Sequence, residues 1–564
     1  MIIGRSAASH AIKALAVLLL LAAFSCARQK YDLEEIRRRA ESFDSEITLS
    51  WYETDNYGKP SRIGEIYKRY EDLFADEKLI QWVGSRIEEQ TDAGQRRRMK
   101  YLQGFLIDEF IGLRAGGLDD RVLDLQAQAA LSVTDQEVAF RDVYGELFNS
   151  SDRRWRRQVH EAQSSFIREQ INPLLSERLE FQREACQQFG FQDYENFQDR
   201  IHEADYETLA GLCEQLLYTT ELIYRRLLEE TAERTLGLGL HEIRVYDRPR
   251  LFRGQSFDTY FPGDRMVPLL ESTLEDMGIR LDEQGNIKLD VEDRPEKEPR
   301  PACYIVSVPD DIRVLVKPMG GAEDYESLFH EMGHAQHYAH TTAPEFEFRV
   351  LGEDGVTESY AFLFENLFMD DVYLIERVGL TEQAALAYLR QALLADLSSL
   401  RYYCALFLFE RQLHAGQDKP WRVYRDLWER ARLTRMTLPE AQADYLMANE
   451  DFYSVGYLEA WLLEAQLRET FRDRYGPQWF CDPRAGRLLV ELWSLGSSRT
   501  VSELSRELGY EKLDADALQR QTERIYRLTE PAASVRSTGV TAAEQPVSST
   551  VSAELLQAVG PAAS

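Results

Sequence analysis

His330-Glu331-Met332-Gly333-His334-Ala335-Gln336-His337 is the stretch of this chain best suited to chemistry, because it contains the spacing H-E-x-x-H. On a helix, residues four apart stand on one face, one turn from each other. His330 and His334 can therefore point an imidazole nitrogen at one ion, the geometry that suits zinc. Glu331 projects beside them, where a carboxylate can hold a water at the metal and take its proton.

The surroundings strengthen this reading. Four of the nine histidines fall between positions 330 and 340. Gly320-Gly321 interrupts the preceding segment, and Glu323, Asp324 and Glu326 load the start of the next one with acid, as the positive end of a helix dipole prefers. Downstream, Glu358 and Glu365 are seven residues apart, two turns along one face of a second helix whose other residues are largely apolar. An unpaired carboxylate on such a face is costly. Glu358 as third ligand removes that cost, and Glu365 then orients a ligand histidine through its other ring nitrogen. Three protein ligands and one open position make a catalytic zinc site, not a structural one. The six cysteines are scattered and show no C-x-x-C, so they offer no structural zinc site and no disulfide framework.

With these residues in place, the chain resembles the thimet oligopeptidase and oligoendopeptidase F family of zinc peptidases, which carries H-E-x-G-H-x-x-H followed by a helix of the form E-x-x-S-x-x-x-E. Here Ser359 follows Glu358 directly, a departure in the serine spacing. Tyr260-Phe261-Pro262 and the segment from Pro301 to Gly321 are also similar, so the resemblance covers roughly residues 200 to 480. Angiotensin-converting-enzyme-like peptidases share H-E-M-G-H and a similarly spaced glutamate. The resemblance implies a mainly α fold with two helical lobes around a deep cleft and a small sheet beside the zinc helix. It also implies that Tyr457, with Tyr453 one turn earlier as second choice, donates a hydrogen bond to the oxyanion of the reaction. The family's histidine before these tyrosines is missing, Asp451 standing nearby, and the nearest other histidine in sequence is His414.

Cys303 to Val308 and Ile312 to Val316, around Pro309-Asp310-Asp311, predict a hairpin ending just before the zinc helix. A free strand edge there could pair with an extended peptide, the role the family resemblance implies. Asp282 to Pro301 is expected to be an exposed connector. Helices are expected over Glu65 to Glu89, Arg154 to Phe189, Tyr206 to Thr235, Thr381 to Leu413 and Val501 to Arg527.

The chain has 564 residues and a formal net charge of -30, with no sustained basic patch, which argues against nucleic acid as a partner. Residues 1–25 have the make-up of a signal peptide: Arg5 and Lys13, then an apolar run from Ala14 to Phe24 too short to span a membrane. Ala23-Phe24-Ser25-Cys26 resembles a bacterial lipobox, so export and a lipid anchor at Cys26 in the cell envelope are expected, with residues 26–530 forming the peptidase domain. Residues 531–564, rich in Ala, Ser, Thr and Val, are expected to be disordered. The function expected is zinc-dependent hydrolysis of short peptides. The alternatives are a peptidyl dipeptidase of the angiotensin-converting-enzyme type and a catalytically silent, peptide-binding envelope lipoprotein.

Overall fold

Amphipathic helical periodicity dominates the chain, and a computed structural model describing residues 31–253 and 257–530 is accordingly mainly helical, 72% helix against 5% strand. The signal segment, Cys26 and the tail beyond residue 530 lie outside the described residues. Six helices matter for the site: α1 (Leu33–Tyr57), α2 (Ala93–Gln128), α3 (Ala322–His340), α4 (Asp354–Glu365), α5 (Glu382–His414) and α6 (Tyr453–Tyr475). Asp32, Asp92 and Thr381 cap α1, α2 and α5, each accepting a hydrogen bond from a backbone N–H of the first turn. The 33-residue α5 is apolar enough to span a membrane by composition, but it is mostly buried in the protein, the condition of a core helix.

Two small sheets complete the fold. Strands β1 (Ala130–Val133) and β2 (Gln136–Ala139) form a hairpin away from the site. The second sheet has the order β3 (Ile287–Asp290), β5 (Asp311–Leu315), β4 (Ala302–Ser307). The predicted hairpin is the antiparallel β4–β5 pair, and β4 is the outer strand. The segment Asp282 to Pro301 is exposed over most of its length, as expected of a connector, but it is not featureless. It supplies β3, parallel to β5, and Lys297 within it is buried, donating to Asp290 Oδ1 at 2.8 Å. A strand of four residues between charged, Pro-containing flanks gains its place from the sheet, not from local pattern.

The helix predictions hold for type but not always for continuity. Glu65 to Glu89 is two helices, Ile63–Phe74 and Glu77–Ser85, because Asp76 caps the second. Tyr206 to Thr235 breaks at Thr220, and Val501 to Arg527 breaks after Leu508, where Gly509 adopts φ 105°. Arg154 to Phe189 is helical across Pro173, with one π turn at Ile167–Ile171. A one-turn break leaves the apolar stripe almost in phase, so periodicity alone does not reveal it.

Helix α3 begins after Gly320 and Gly321, at φ 93° and 106°, a backbone that only glycine adopts without strain. The Gly320 N–H donates to Asp324 Oδ2 at 2.9 Å, fixing the first turn. Helices α3 and α4 then cross at Gly333, where a Cβ would stand 2.5 Å from Ala361 Cα and 2.6 Å from the Tyr360 carbonyl oxygen. The glycine in H-E-x-G-H is thus a packing requirement: it lets α4 approach closely enough for Glu358 to face the two histidines.

Candidate metal centre

The two histidines of α3 and the first glutamate of α4 meet. His330 Nε2 lies 3.2 Å from His334 Nε2, and Glu358 Oε2 lies 3.3 Å and 3.7 Å from those two atoms. Among the described residues, this is the one group whose three donor atoms fall within 4.8 Å of one another and could hold a metal ion. The chemistry of the set fits such an ion. Glu358 is 5% exposed and its Oε2 is buried without a hydrogen-bond donor. Two imidazole nitrogens facing each other at that distance, with a bare carboxylate oxygen beside them, are otherwise an uncompensated arrangement.

Both rings are oriented from behind. His330 Nδ1–H donates to Glu365 Oε2 at 2.8 Å, as the seven-residue spacing suggests. His334 Nδ1 pairs with Thr357 Oγ1 at 2.8 Å, and a metal on Nε2 makes Nδ1–H the donor of that bond. With the protons at Nδ1, both Nε2 lone pairs are free for a metal. Thr357 was not legible in advance, since a threonine on an apolar helix carries no signal of its own. His337 and His340 turn away from the group: His337 is fully buried against Tyr338 and Tyr360, and His340 packs on Trp493.

Glu331 also faces this place, and β4 holds it there. Its Oε2 accepts the backbone N–H of Cys303 at 2.8 Å. Burial first, and the Glu358 carboxylate after it, push the Glu331 carboxyl up to about 7, while His330 and the Cys303 N–H pull it down. The sequence offered no means of finding Cys303, because its contribution is a main-chain group.

These residues open on a cavity of about 1040 Å³. Its wall is built from α1 and α2, from β4 along its outer edge, and from α3, α4 and α6. Helix α1 runs beside β4: Tyr304 Oη donates to Asp55 Oδ2 at 2.7 Å, and Ser45 Oγ donates to the Val306 carbonyl. Tyr453 and Tyr457 both line the cavity from α6, their hydroxyls 3.4 Å apart, with the Tyr457 ring stacked on Phe362. Burial and the nearby Glu358 carboxylate hold both phenols protonated, so each is a donor. His414 does not reach the cavity; it is buried between Tyr194 and Phe452 and bonded to Asn449. The cavity's histidine outside α3 is instead His202, whose pKa burial lowers to about 4.

The chain matches no family model and no curated protein.

Proposed function

We propose that this protein is a zinc-dependent peptidase that hydrolyses peptide bonds in short peptides. The observation that carries the reading is the convergence of His330 Nε2, His334 Nε2 and Glu358 Oε2 beside an independently anchored Glu331, all open to one cavity. A two-histidine, one-carboxylate set with an open position suits zinc. Held there, zinc would supply a Lewis acid that acidifies water and polarises a carbonyl.

The chain's own residues provide the remainder. Glu331 keeps Oε2 on the Cys303 N–H, so Oε1 is the atom that accepts the water's proton and returns it to the departing amine. The outer edge of β4, beyond the Cys303 N–H engaged by Glu331 and the Val306 carbonyl engaged by Ser45, would offer main-chain groups to an extended peptide, a recognition that is nearly blind to sequence. Tyr457 and Tyr453 donate to the oxygen on which negative charge develops, a contribution of about 3 kcal/mol where one such donor is removed. A cavity walled by helices admits unfolded peptides and excludes folded domains.

The test is cleavage of a mixed set of free and C-terminally amidated peptides, followed by mass spectrometry, with metal analysis of the purified protein. One zinc per chain and cleavage that disappears with chelator and in Glu331→Gln are expected. Indifference to the amide marks an endopeptidase, and loss of cleavage on amidation marks a peptidyl dipeptidase. A folded, zinc-loaded protein that cleaves nothing refutes the proposal.

A further inference from the structure

The wall of the cavity is more acidic than the chain as a whole. Twelve carboxyl side chains line it against two guanidinium groups, whereas the chain carries 96 acidic and 66 basic residues. One of those two cations, Arg178, is already matched by Asp451 at 2.7 Å and Asp119 at 3.0 Å. Some of the carboxyls have assigned work in the metal group or in bonds to neighbours. Six do not: Asp44, Asp108, Glu298, Asp354, Glu450 and Glu459. Of these, Asp354 on α4 and Glu459 on α6 stand by the start of α4, and Asp108 on α2 is near enough to Asp354 to feel its charge.

The placement of these last three is specific. Asp354 precedes Glu358 by one turn on the same helix face, so it stands beside the metal group, and its side chain is open to the cavity. Asp108 comes from the other side of the cavity with its side chain open to it, and its carboxyl is raised first by burial, then by the Glu109 and Asp451 carboxylates and, less, by Asp354. Glu459 is 8% exposed and lines the same wall. Its Oε2 lies 3.2 Å from where a Cβ on Gly355 would stand, which puts the carboxyl at the start of α4 next to Asp354. No hydrogen bond or ion pair from the described residues serves any of the three carboxyls. Burial pushes Glu459 up to about 7, and burial followed by the nearby Glu358 carboxylate pushes Asp354 up to about 7. A second metal is not the natural occupant. Among the described residues, no other three donor atoms gather as closely as those of His330, His334 and Glu358. Carboxyls spread along a wall suit a longer, organic cation.

We propose that Asp108, Asp354 and Glu459 form a subsite one helical turn from the metal group that binds a lysine or arginine side chain of the peptide. The inference rests on the cavity being a peptide site, as proposed above, and it names the class of peptide: cationic. The cation neutralises a wall that is otherwise self-repelling, so its effect falls on binding and not on the chemical step.

Binding is therefore measured where no hydrolysis can occur. Glu331→Gln full-length protein, without added metal, is titrated with labelled hexapeptides in which one lysine is moved through each position, each paired with a norleucine control. At one position or more, lysine is expected to bind about tenfold tighter than norleucine. That preference is expected to fall to about twofold in Asp354→Asn and in Asp108→Asn, each made in the same background. Equal binding of lysine and norleucine peptides at every position, including no binding of either, overturns the subsite. A preference that survives in both Asn variants overturns it too. The comparison of peptides needs no wall variant, so a misfolded mutant does not shield the proposal. The wild-type protein is given the same pairs for cleavage. Lysine preference in binding without cleavage refutes the hydrolytic reading and leaves the subsite standing; equal cleavage and equal binding of each pair does the reverse.

Discussion

Gly333→Ala adds one methyl group where α3 and α4 cross, and the structure fixes what it meets. The new Cβ would lie 2.5 Å from Ala361 Cα, 2.6 Å from the Tyr360 oxygen and 2.9 Å from Ala361 N, all main-chain atoms. Ordinary contact begins at 3.4 Å, so α4 has to withdraw by about 0.9 Å (3.4 − 2.5). Glu358 lies three residues from Ala361 on the same helix and moves with it. Metal–ligand distances tolerate only ~0.2 Å, so the displacement takes the carboxylate out of range of an ion held by the histidines. Zinc affinity is expected to fall by about 100-fold, the upper end of what a disturbed metal surround costs. The overpacking itself costs ~1–3 kcal/mol. In a chain of this size that shifts the melting temperature by only ~1–3 °C, since unfolding entropy is about 2.1 cal/mol/K per residue. Zinc affinity, measured by competition with a chromophoric chelator, is therefore the decisive assay. Gly116→Ala in α2 is the control: nothing stands within 4 Å of its Cβ, and no change in zinc binding is expected. Zinc affinity in Gly333→Ala within about threefold of wild type, in a protein of unchanged circular dichroism, would show that the crossing does not set the position of Glu358.

Glu365→Ala frees His330 Nδ1 from its carboxylate, and a loss of zinc affinity of about 10- to 100-fold is expected in the same competition assay. Thr357→Val removes the weaker, neutral partner of His334 and should cost less than Glu365→Ala; the reverse order would contradict the assignment of these two bonds. Tyr457→Phe should lower kcat by about 100-fold with little change in KM, and Tyr453→Phe should do less; equal kcat for all three proteins on one peptide removes the phenols from the reaction. For pH, burial raises Glu326 and Glu410 to about 8 and Asp444 to about 7, so these groups bind protons more tightly folded than unfolded. Their contribution is complete below the ordinary carboxyl range and is lost as pH rises through those values. His202, lowered by burial to about 4, acts in the opposite sense between there and its unfolded value. The carboxyls outnumber it, so the metal-free protein is expected to be more stable to urea at pH 5 than at pH 8; the opposite trend in the denaturation midpoint would refute the sign.

The parts of the candidate metal centre that were legible from sequence are those fixed by one helix at a time. His330, Glu331 and His334 share a turn of α3, and Glu358 and Glu365 share a face of α4, so spacing alone states which atoms stand together. Gly333 was legible as a letter of the motif, but its reason lies in the neighbouring helix. Thr357 and the Cys303 N–H were invisible for a different cause: each serves through a group that almost every sequence contains. Asp108 and His202 enter the cavity from elements more than a hundred residues before α3. No local pattern connects them to it; the packing of α1 on β4, and of α2 on the helix that carries His202, does.

The same distinction separates the groups proposed for catalysis from those proposed for selection. The groups proposed to act on the peptide bond lie on α3, α4 and α6, the elements whose sequence carries the motif. Of the groups proposed to select a cationic peptide, Asp354 and Glu459 ride on those same elements and Asp108 on a helix from the far wall. A carboxylate on α4 one turn from Glu358 cannot be moved without moving the metal group, whereas Asp108 can change with no effect on α3 or α4. If the subsite is as inferred, Asp108→Asn should weaken lysine-peptide binding while leaving zinc affinity within about twofold of wild type, and Asp354→Asn should disturb both. Parallel loss of zinc in the two variants would mean that the far wall supports the metal group and does not select the substrate.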